Sequence, residues 1–92
     1  MDKEVQLPVS MDWSKEEVIE VIHFFEAIDK AHTKGIKRSV LLNHYQQYKK
    51  VVPLKSEEKQ HFKDYQEQTG QSPYHIIKFA RENDNSEMIR IN

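Results

Sequence analysis

Apolar residues recur at helical spacing in four stretches of the chain, and they predict four helices. The first begins with Ser14 and Glu17, which have the spacing of a capping box. It continues through an apolar surface that covers most of the helical circumference and leaves only a narrow polar strip. Such a helix is packed by several neighbours, so helix one is predicted to be the central one. Gly35 is predicted to end it as a left-handed C-terminal cap.

The three later helices are bounded by residues that start or stop helices. Pro53 ends helix two and Gly70 ends helix three, while Ser56 and Ser72 are placed to cap helices three and four. The predicted extents are 37–52 for helix two, 56–69 for helix three, and from Pro73 to the polar run 83–86 for helix four. Apolar alternation over residues 5–11 and the short apolar run 88–91 predict extended segments that lie on the helices.

These elements predict an all-α fold, a compact array or bundle of four helices with short extended termini. At 92 residues the chain has the length of a single domain. We expect residues 1–92 to form one helical domain, with an extended N-terminal segment at 1–12, a helical core at 13–84 and a C-terminal tail at 85–92.

The amino-acid composition limits the functional classes to which the chain can belong. Charged residues make up 32% of the chain and hydrophobic residues 37%, as in ordinary soluble proteins. The lack of cysteine excludes disulfides, thiolate nucleophiles and thiolate metal sites. No signal-peptide pattern or membrane-length apolar run is found, so a cytoplasmic location is expected.

Several short motifs occur in an order that resembles the YktA-like family of small uncharacterised proteins from Gram-positive bacteria. The motifs are Asp12-Trp13-Ser14, the run Phe24 to Ile28, Gly35-Ile36, Tyr45-x-x-Tyr48-Lys49, Val52-Pro53 with Glu57-Glu58-Lys59, and Thr69-Gly70-x-Ser72-x-Tyr74. They cover roughly residues 12–80. One departure is the turn Pro53-Leu54-Lys55-Ser56, where the family tends toward Pro-Ser-Lys. The resemblance implies an all-helical fold and a bacterial cytoplasmic setting, and it supplies no activity.

Charge is strongly segregated along the chain. Residues 30–55 carry seven lysines and arginines and no acid, whereas residues 1–29 carry eight acids against two bases. Segregation of this kind either locks helices together or presents a surface to a charged partner. If helices one and two are antiparallel, Lys37 and Arg38 approach Glu26 and Asp29. Lys49 and Lys50 then approach Glu16, Glu17 and Glu20, and the charges set the register of a helical hairpin.

The alternative is that helix two presents a binding surface. Its candidate residues are Lys37, Arg38, Asn43, Gln46, Gln47, Lys49 and Lys50. Amides can read base edges and lysines can hold phosphates, so this surface suits nucleic acid as well as protein. Residues 57–83 also resemble a degenerate helix-turn-helix, with a glycine in the turn and Ile77 where that motif usually faces DNA.

Catalytic and metal-binding patterns are weak. The pairs Glu20/His23 and Glu58/His61 have a spacing that occurs in di-iron helix bundles, but helix two has no acid to complete such a site. Both pairs are therefore interpreted as solvated surface pairs. We predict no catalytic, cofactor-binding or metal-binding residues, and no enzyme activity.

Two polar residues lie on otherwise apolar faces. His44 lies between Val40 and Tyr48 on helix two, and Glu58 shares the apolar face of helix three. Both are interpreted as partly buried residues satisfied by hydrogen bonds. The predicted function is a non-catalytic protein–protein interaction module or adaptor with a cytosolic protein partner and no cofactor. Nucleic-acid binding is the alternative.

Overall fold

The computed structural model describes residues 5–85 and 87–91. Its helices are α1 (Lys15–His32), α2 (Arg38–Val51), α3 (Lys55–Thr69) and α4 (Pro73–Glu82), and its strands are β1 (Ile36–Lys37) and β2 (Met88–Ile89). The predicted all-α fold with four helices is confirmed. Parts of three predicted segments lie outside the described residues: residues 1–4 of the N-terminal segment, residue 86 of the polar run after helix four, and residues 86 and 92 of the C-terminal tail. Within the described ranges, none of the helices is both long and apolar enough to cross a membrane.

Two of the predicted helix starts are confirmed in atomic detail. The Ser14 hydroxyl accepts a hydrogen bond from the Glu17 amide at 3.2 Å, and the Ser14 amide donates to the Glu17 carboxylate at 2.8 Å. This reciprocal pair satisfies two free N–H groups of the first turn of α1. At α4, the Ser72 hydroxyl accepts from the His75 amide, and Pro73 occupies the first turn, where no N–H is needed.

The predicted start of α3 and end of α1 are wrong in position. The N-cap of α3 is Leu54, which makes no side-chain cap, so Ser56 lies inside the first turn.

Helix α1 ends at His32, and Thr33 occupies its C-cap with right-handed helical angles. Gly35 has the predicted positive φ, 92°, but lies two residues beyond that cap, where its amide donates to the Lys30 carbonyl. A Cβ there would lie 3.4 Å from that of Arg90, and the positive φ would strain it.

The C-terminal segment is anchored by a two-stranded sheet. β2 pairs antiparallel with β1, with Ile36 opposite Ile89, and the Ile91 amide donates to the Ala31 carbonyl. The C-terminal extended segment was predicted, but its partner strand at Ile36–Lys37 was not. At the other end, the Gln6 amide donates to the side chain of Gln68 on α3 at 2.8 Å.

An aromatic cluster joins α1 to α2 and α3. Phe24 stacks on Tyr48 of α2, with ring centroids 4.6 Å apart, and lies 5.8 Å from Phe62 of α3. Phe25 packs on Tyr65 of α3 at 4.8 Å. Phe24, Phe25 and Tyr48 are almost completely buried. Helix α1 therefore supplies the aromatic centre of the core, and the opposite sides of α2 and α3 remain available to form a surface.

Candidate functional site

The residues of the surface predicted on helix two differ in their exposure to solvent. Lys37, Asn43, Gln46 and Lys50 are exposed, whereas Arg38, Gln47 and Lys49 are half-buried. The exposed cations Lys37 and Lys50 lie thirteen residues apart, at opposite ends of a helix that rises about 1.5 Å per residue. The predicted residues thus do not form one continuous basic patch.

Two of the predicted basic residues are bound within the fold. The Arg38 Nε donates to the Ala80 carbonyl of α4 at 2.6 Å, and the Lys49 ammonium pairs with the Glu58 carboxylate of α3 at 2.5 Å. That the charges of helices one and two set the register of their packing stays a prediction. Lys37 and Glu26 line one cavity, and the ion pair found among the described residues joins Lys49 to Glu58 of α3. The basic end of α2 meets its counter-charge on α3.

Glu58 is the centre of a buried polar cluster. It is 8% exposed and accepts hydrogen bonds from the Tyr45 hydroxyl at 2.7 Å and from the Lys49 ammonium. Burial, with the adjacent carboxylate, raises the pKa of Tyr45 to about 12, so this phenol stays protonated as a donor. The prediction that Glu58 is buried and hydrogen-bonded is confirmed. The interpretation of Glu58/His61 as a solvated surface pair is wrong.

His61 forms a second link between α3 and α2. Its Nδ1 lies 2.8 Å from the hydroxyl of Tyr48, and its ring meets the Trp13 ring edge-on with centroids 6.0 Å apart. Burial lowers the pKa of His61 and raises that of Tyr48. Both groups therefore favour their neutral forms, and the hydrogen bond between them joins two uncharged side chains of α2 and α3.

A cleft of about 620 Å³ lies beside this cluster, between α3 and α4, and reaches α2. Its apolar lining consists of Tyr45, Phe62, Tyr74 and Ile77. Phe62 and Ile77 are buried core residues, whereas Tyr74 is 65% exposed. Glu58 and its bond to Tyr45 form part of the same wall. The cleft therefore combines a rigid apolar floor with an exposed aromatic side chain at its edge.

The rim of the cleft is strongly basic. Five cationic side chains line it: Lys55, Lys59 and Lys63 of α3, with Lys78 and Arg81 of α4. Two carboxylates line it as well, Glu58 and Glu82, and Glu58 is already paired with Lys49. The Arg81 guanidinium lies over the Tyr45 ring, 5.2 Å from its centroid.

Sequence reasoning missed this surface, although a signal was present. Lys55, Lys59 and Lys63 recur every four residues and therefore share one helical face. In the linear sequence the contiguous basic run 30–55 is more prominent than this spacing within helix three. The helix-turn-helix interpretation of residues 57–83 also loses support here, because Ile77 is only 4% exposed and cannot face DNA.

A second grouping lies on the other side of α2. Glu20 and His23 of α1 meet His44 of α2, and one ligand atom from each lies within 4.8 Å of the others. His23 and His44 also line a separate cavity of about 330 Å³. The di-iron pattern requires an acid on helix two, so that pattern gives no signal for a histidine, His44, at this place.

Comparison with known proteins places the chain among bacterial relatives along almost its full length. A model of an uncharacterised protein family, UPF0223, matches residues 4–89. A UPF0223 protein of Bacillus pumilus is 46% identical over 88 residues, which cover 96% of this chain and 99% of that protein. A UPF0223 protein of Lysinibacillus sphaericus is 41% identical over 88 residues, covering 96% and 93%.

The resemblance stated from the sequence motifs is confirmed by a third relative. The UPF0223 protein YktA of Bacillus subtilis is 41% identical over 85 residues, which cover 92% of this chain and 97% of that protein. The names of these three relatives state no activity. The chain belongs to the UPF0223 family of uncharacterised proteins.

Proposed function

We propose that this protein is a non-catalytic interaction module whose binding surface is the cleft between α3 and α4. The proposed occupant is an acidic amphipathic segment of a partner protein, bound as a helix or a short extended stretch. The observation that carries this proposal is the combination of an apolar floor with five cationic side chains at the rim. A cytoplasmic setting is part of the same proposal.

The chemistry of the cleft determines which partner suits it. Phe62 and Ile77 offer an apolar floor, and Tyr74 can cover an inserted side chain because most of its ring is exposed. Helix-in-groove recognition uses large apolar anchors spaced at i, i+3 or i+4, and i+7. Carboxylates flanking those anchors would meet Lys59 and Lys63 on one side of the groove. Complementary charge of this kind raises the association rate and selects against basic partners.

Nucleic acid suits the same features less well. A phosphate backbone needs an open basic surface, and base stacking needs exposed aromatic rings along the path of the strand. Here Tyr74 is the exposed ring of the cleft, and Arg38 and Lys49 of the predicted helix-two surface are bound within the fold. The acidic segment is therefore the occupant we propose, and nucleic acid is an outcome of the test.

The test is a fluorescence-anisotropy titration with a labelled model peptide, designed as an amphipathic helix with leucine and tryptophan anchors and glutamate elsewhere. A peptide with every glutamate replaced by lysine is its matched control. We expect the acidic peptide to bind and the lysine peptide not to bind. The affinity for the acidic peptide should fall as the salt concentration is raised. In the double variant Lys59→Glu/Lys63→Glu, the affinity should fall at least about tenfold.

A second double variant distinguishes the two basic surfaces. Lys37→Glu/Lys50→Glu makes the same change in net charge at two exposed positions, the N-cap of α2 and its last turn, and should leave peptide binding unchanged. Equal loss in both double variants would show a non-specific charge effect. Tighter binding of duplex DNA or RNA than of the peptide, lost in the helix-two variant, would favour the nucleic-acid alternative. Self-association abolished by Lys59→Glu/Lys63→Glu would identify a second copy as the occupant.

A further inference from the structure

The grouping of Glu20, His23 and His44 has the composition of a metal site. Glu20 and His23 lie one helical turn apart on α1, and His44 faces them from α2. The two imidazole rings meet at 69°, with centroids 5.8 Å apart. A ligand atom of each side chain lies within 4.8 Å of those of the other two. The site is therefore built from two different helices that pack against each other.

The donor atoms select the class of metal. Two imidazole nitrogens and one carboxylate oxygen suit divalent first-row transition ions, and three protein ligands with an open position are typical of catalytic zinc sites. Calcium and magnesium prefer all-oxygen sites and are disfavoured. Zinc bonds of about 2.0–2.1 Å place tetrahedral ligand atoms roughly 3.3 Å apart. The side chains must therefore move closer together, and the exposure of His23 allows it to rotate.

The adjoining cavity gives the ion an open side. His23 and His44 both line this cavity of about 330 Å³, together with Glu26, Lys30 and Lys37. A divalent ion held by a single carboxylate keeps a net positive charge, so its open positions would take water or a small anion. The ammonium groups of Lys30 and Lys37 would favour an anion there.

We propose that Glu20, His23 and His44 bind one divalent transition-metal ion of the zinc class and so join α1 to α2. This site is independent of the α3–α4 cleft, because it shares no residue with it.

The test uses the full chain without any histidine tag, titrated with Zn²⁺ alone by isothermal titration calorimetry. We expect one ion per chain. Loss of a ligand should weaken binding by at least the roughly 10–100-fold that loss of a supporting group costs at metal sites. His23→Ala and Glu20→Gln should both do so, and the former removes an exposed side chain that the core does not need. His75→Ala removes an exposed histidine outside the grouping and should leave binding unchanged.

Two further readouts support or overturn the assignment. Zinc should raise the thermal midpoint of the wild type and of His75→Ala, but not that of His23→Ala, whereas Mg²⁺ should raise none of them. Co²⁺ should give the visible absorption of a bound ion in the wild type, and this absorption should be lost in His23→Ala. No detectable zinc binding, binding unchanged in His23→Ala, or a stoichiometry of one ion per two chains would each overturn the proposal.

Discussion

The Tyr45 hydroxyl donates a hydrogen bond of 2.7 Å to Glu58, joining α2 to α3 in the wall of the basic cleft. Lys49 binds the other oxygen of the same carboxylate. The two donors satisfy a carboxylate that is 8% exposed, and a buried carboxylate without such partners would be costly. This cluster fixes the side of α3 that faces α2, and thereby the side on which the α3 lysines are displayed.

The first prediction concerns this cluster. Glu58→Ala leaves the Tyr45 hydroxyl and the Lys49 ammonium without their acceptor, so we expect a loss of about 1–3 kcal/mol in the free energy of unfolding. Glu58→Gln retains an acceptor for Tyr45 and should cost less than the alanine variant. Glu67→Ala, at an exposed position on the same helix, should stay within about 0.5 kcal/mol. Urea denaturation measures all three, and equal stabilities would contradict the assigned bonds.

The second prediction concerns the aromatic core. Phe25 is 1% exposed and packs on Tyr65, so Phe25→Ala should cost about 3–5 kcal/mol. That loss is a large part of the roughly 5–15 kcal/mol available to a small domain. Phe25→Leu should cost much less, because it leaves a smaller cavity. Thermal unfolding is the measurement, and an alanine variant of native stability would place α1 outside the core.

The third prediction is a pH dependence of stability. Burial lowers the pKa of His32 and of His61 below the ordinary value of 6.5, and no partner among the described residues bonds to His32 Nε2. The unfolded chain therefore binds more protons than the folded chain below pH 6.5. Stability contributed by these neutral imidazoles is complete above pH 6.5 and is lost as the pH falls toward the lowered values.

Unfolding free energies measured at several pH values on both sides of 6.5 check this expectation. His61→Gln removes one of the two titrating groups and should flatten the profile in that window. A wild-type stability that rises as the pH falls below 6.5 would contradict the burial of these histidines.

The fourth prediction separates binding from stability at Tyr74. This side chain lines the cleft but is 65% exposed, so Tyr74→Ala should change the unfolding free energy by no more than about 0.5 kcal/mol. The same variant should lower the affinity for the acidic peptide by about tenfold, because tyrosines are common binding hot spots. Stability comes from denaturant unfolding and affinity from anisotropy. Unchanged affinity would exclude Tyr74 from the binding surface.

Much of the fold could be predicted from local signals. The capping box at Ser14, the Ser72-Pro73 helix start and the apolar surface of α1 each act within a few residues, so the sequence displays them directly. Errors arose where distant residues decide the outcome. β1 forms because Ile36 meets Ile89, and the Lys49–Glu58 pair depends on how α3 is placed against α2.

The candidate sites were harder to predict for the same reason. The basic cleft requires the lysine face of α3 to lie beside Lys78 and Arg81 of α4, and periodicity within one helix does not give that arrangement. His44 was recognised as unusual, but its neighbours Glu20 and His23 follow only from the packing of α1 on α2. Helical spacing thus identified residues that share a face, and tertiary packing decided which faces meet.

The most direct test of the proposed cleft is an NMR titration of the isotope-labelled protein with the acidic amphipathic peptide, read as amide chemical-shift changes. We predict that the largest changes cluster on α3 and α4, around Lys59, Lys63, Tyr74 and Lys78. Two results would contradict the claim that this cleft is the interaction surface. One is a cluster of shift changes on the outer face of α2, around Asn43 and Lys50. The other is saturable peptide binding whose shift changes form no cluster.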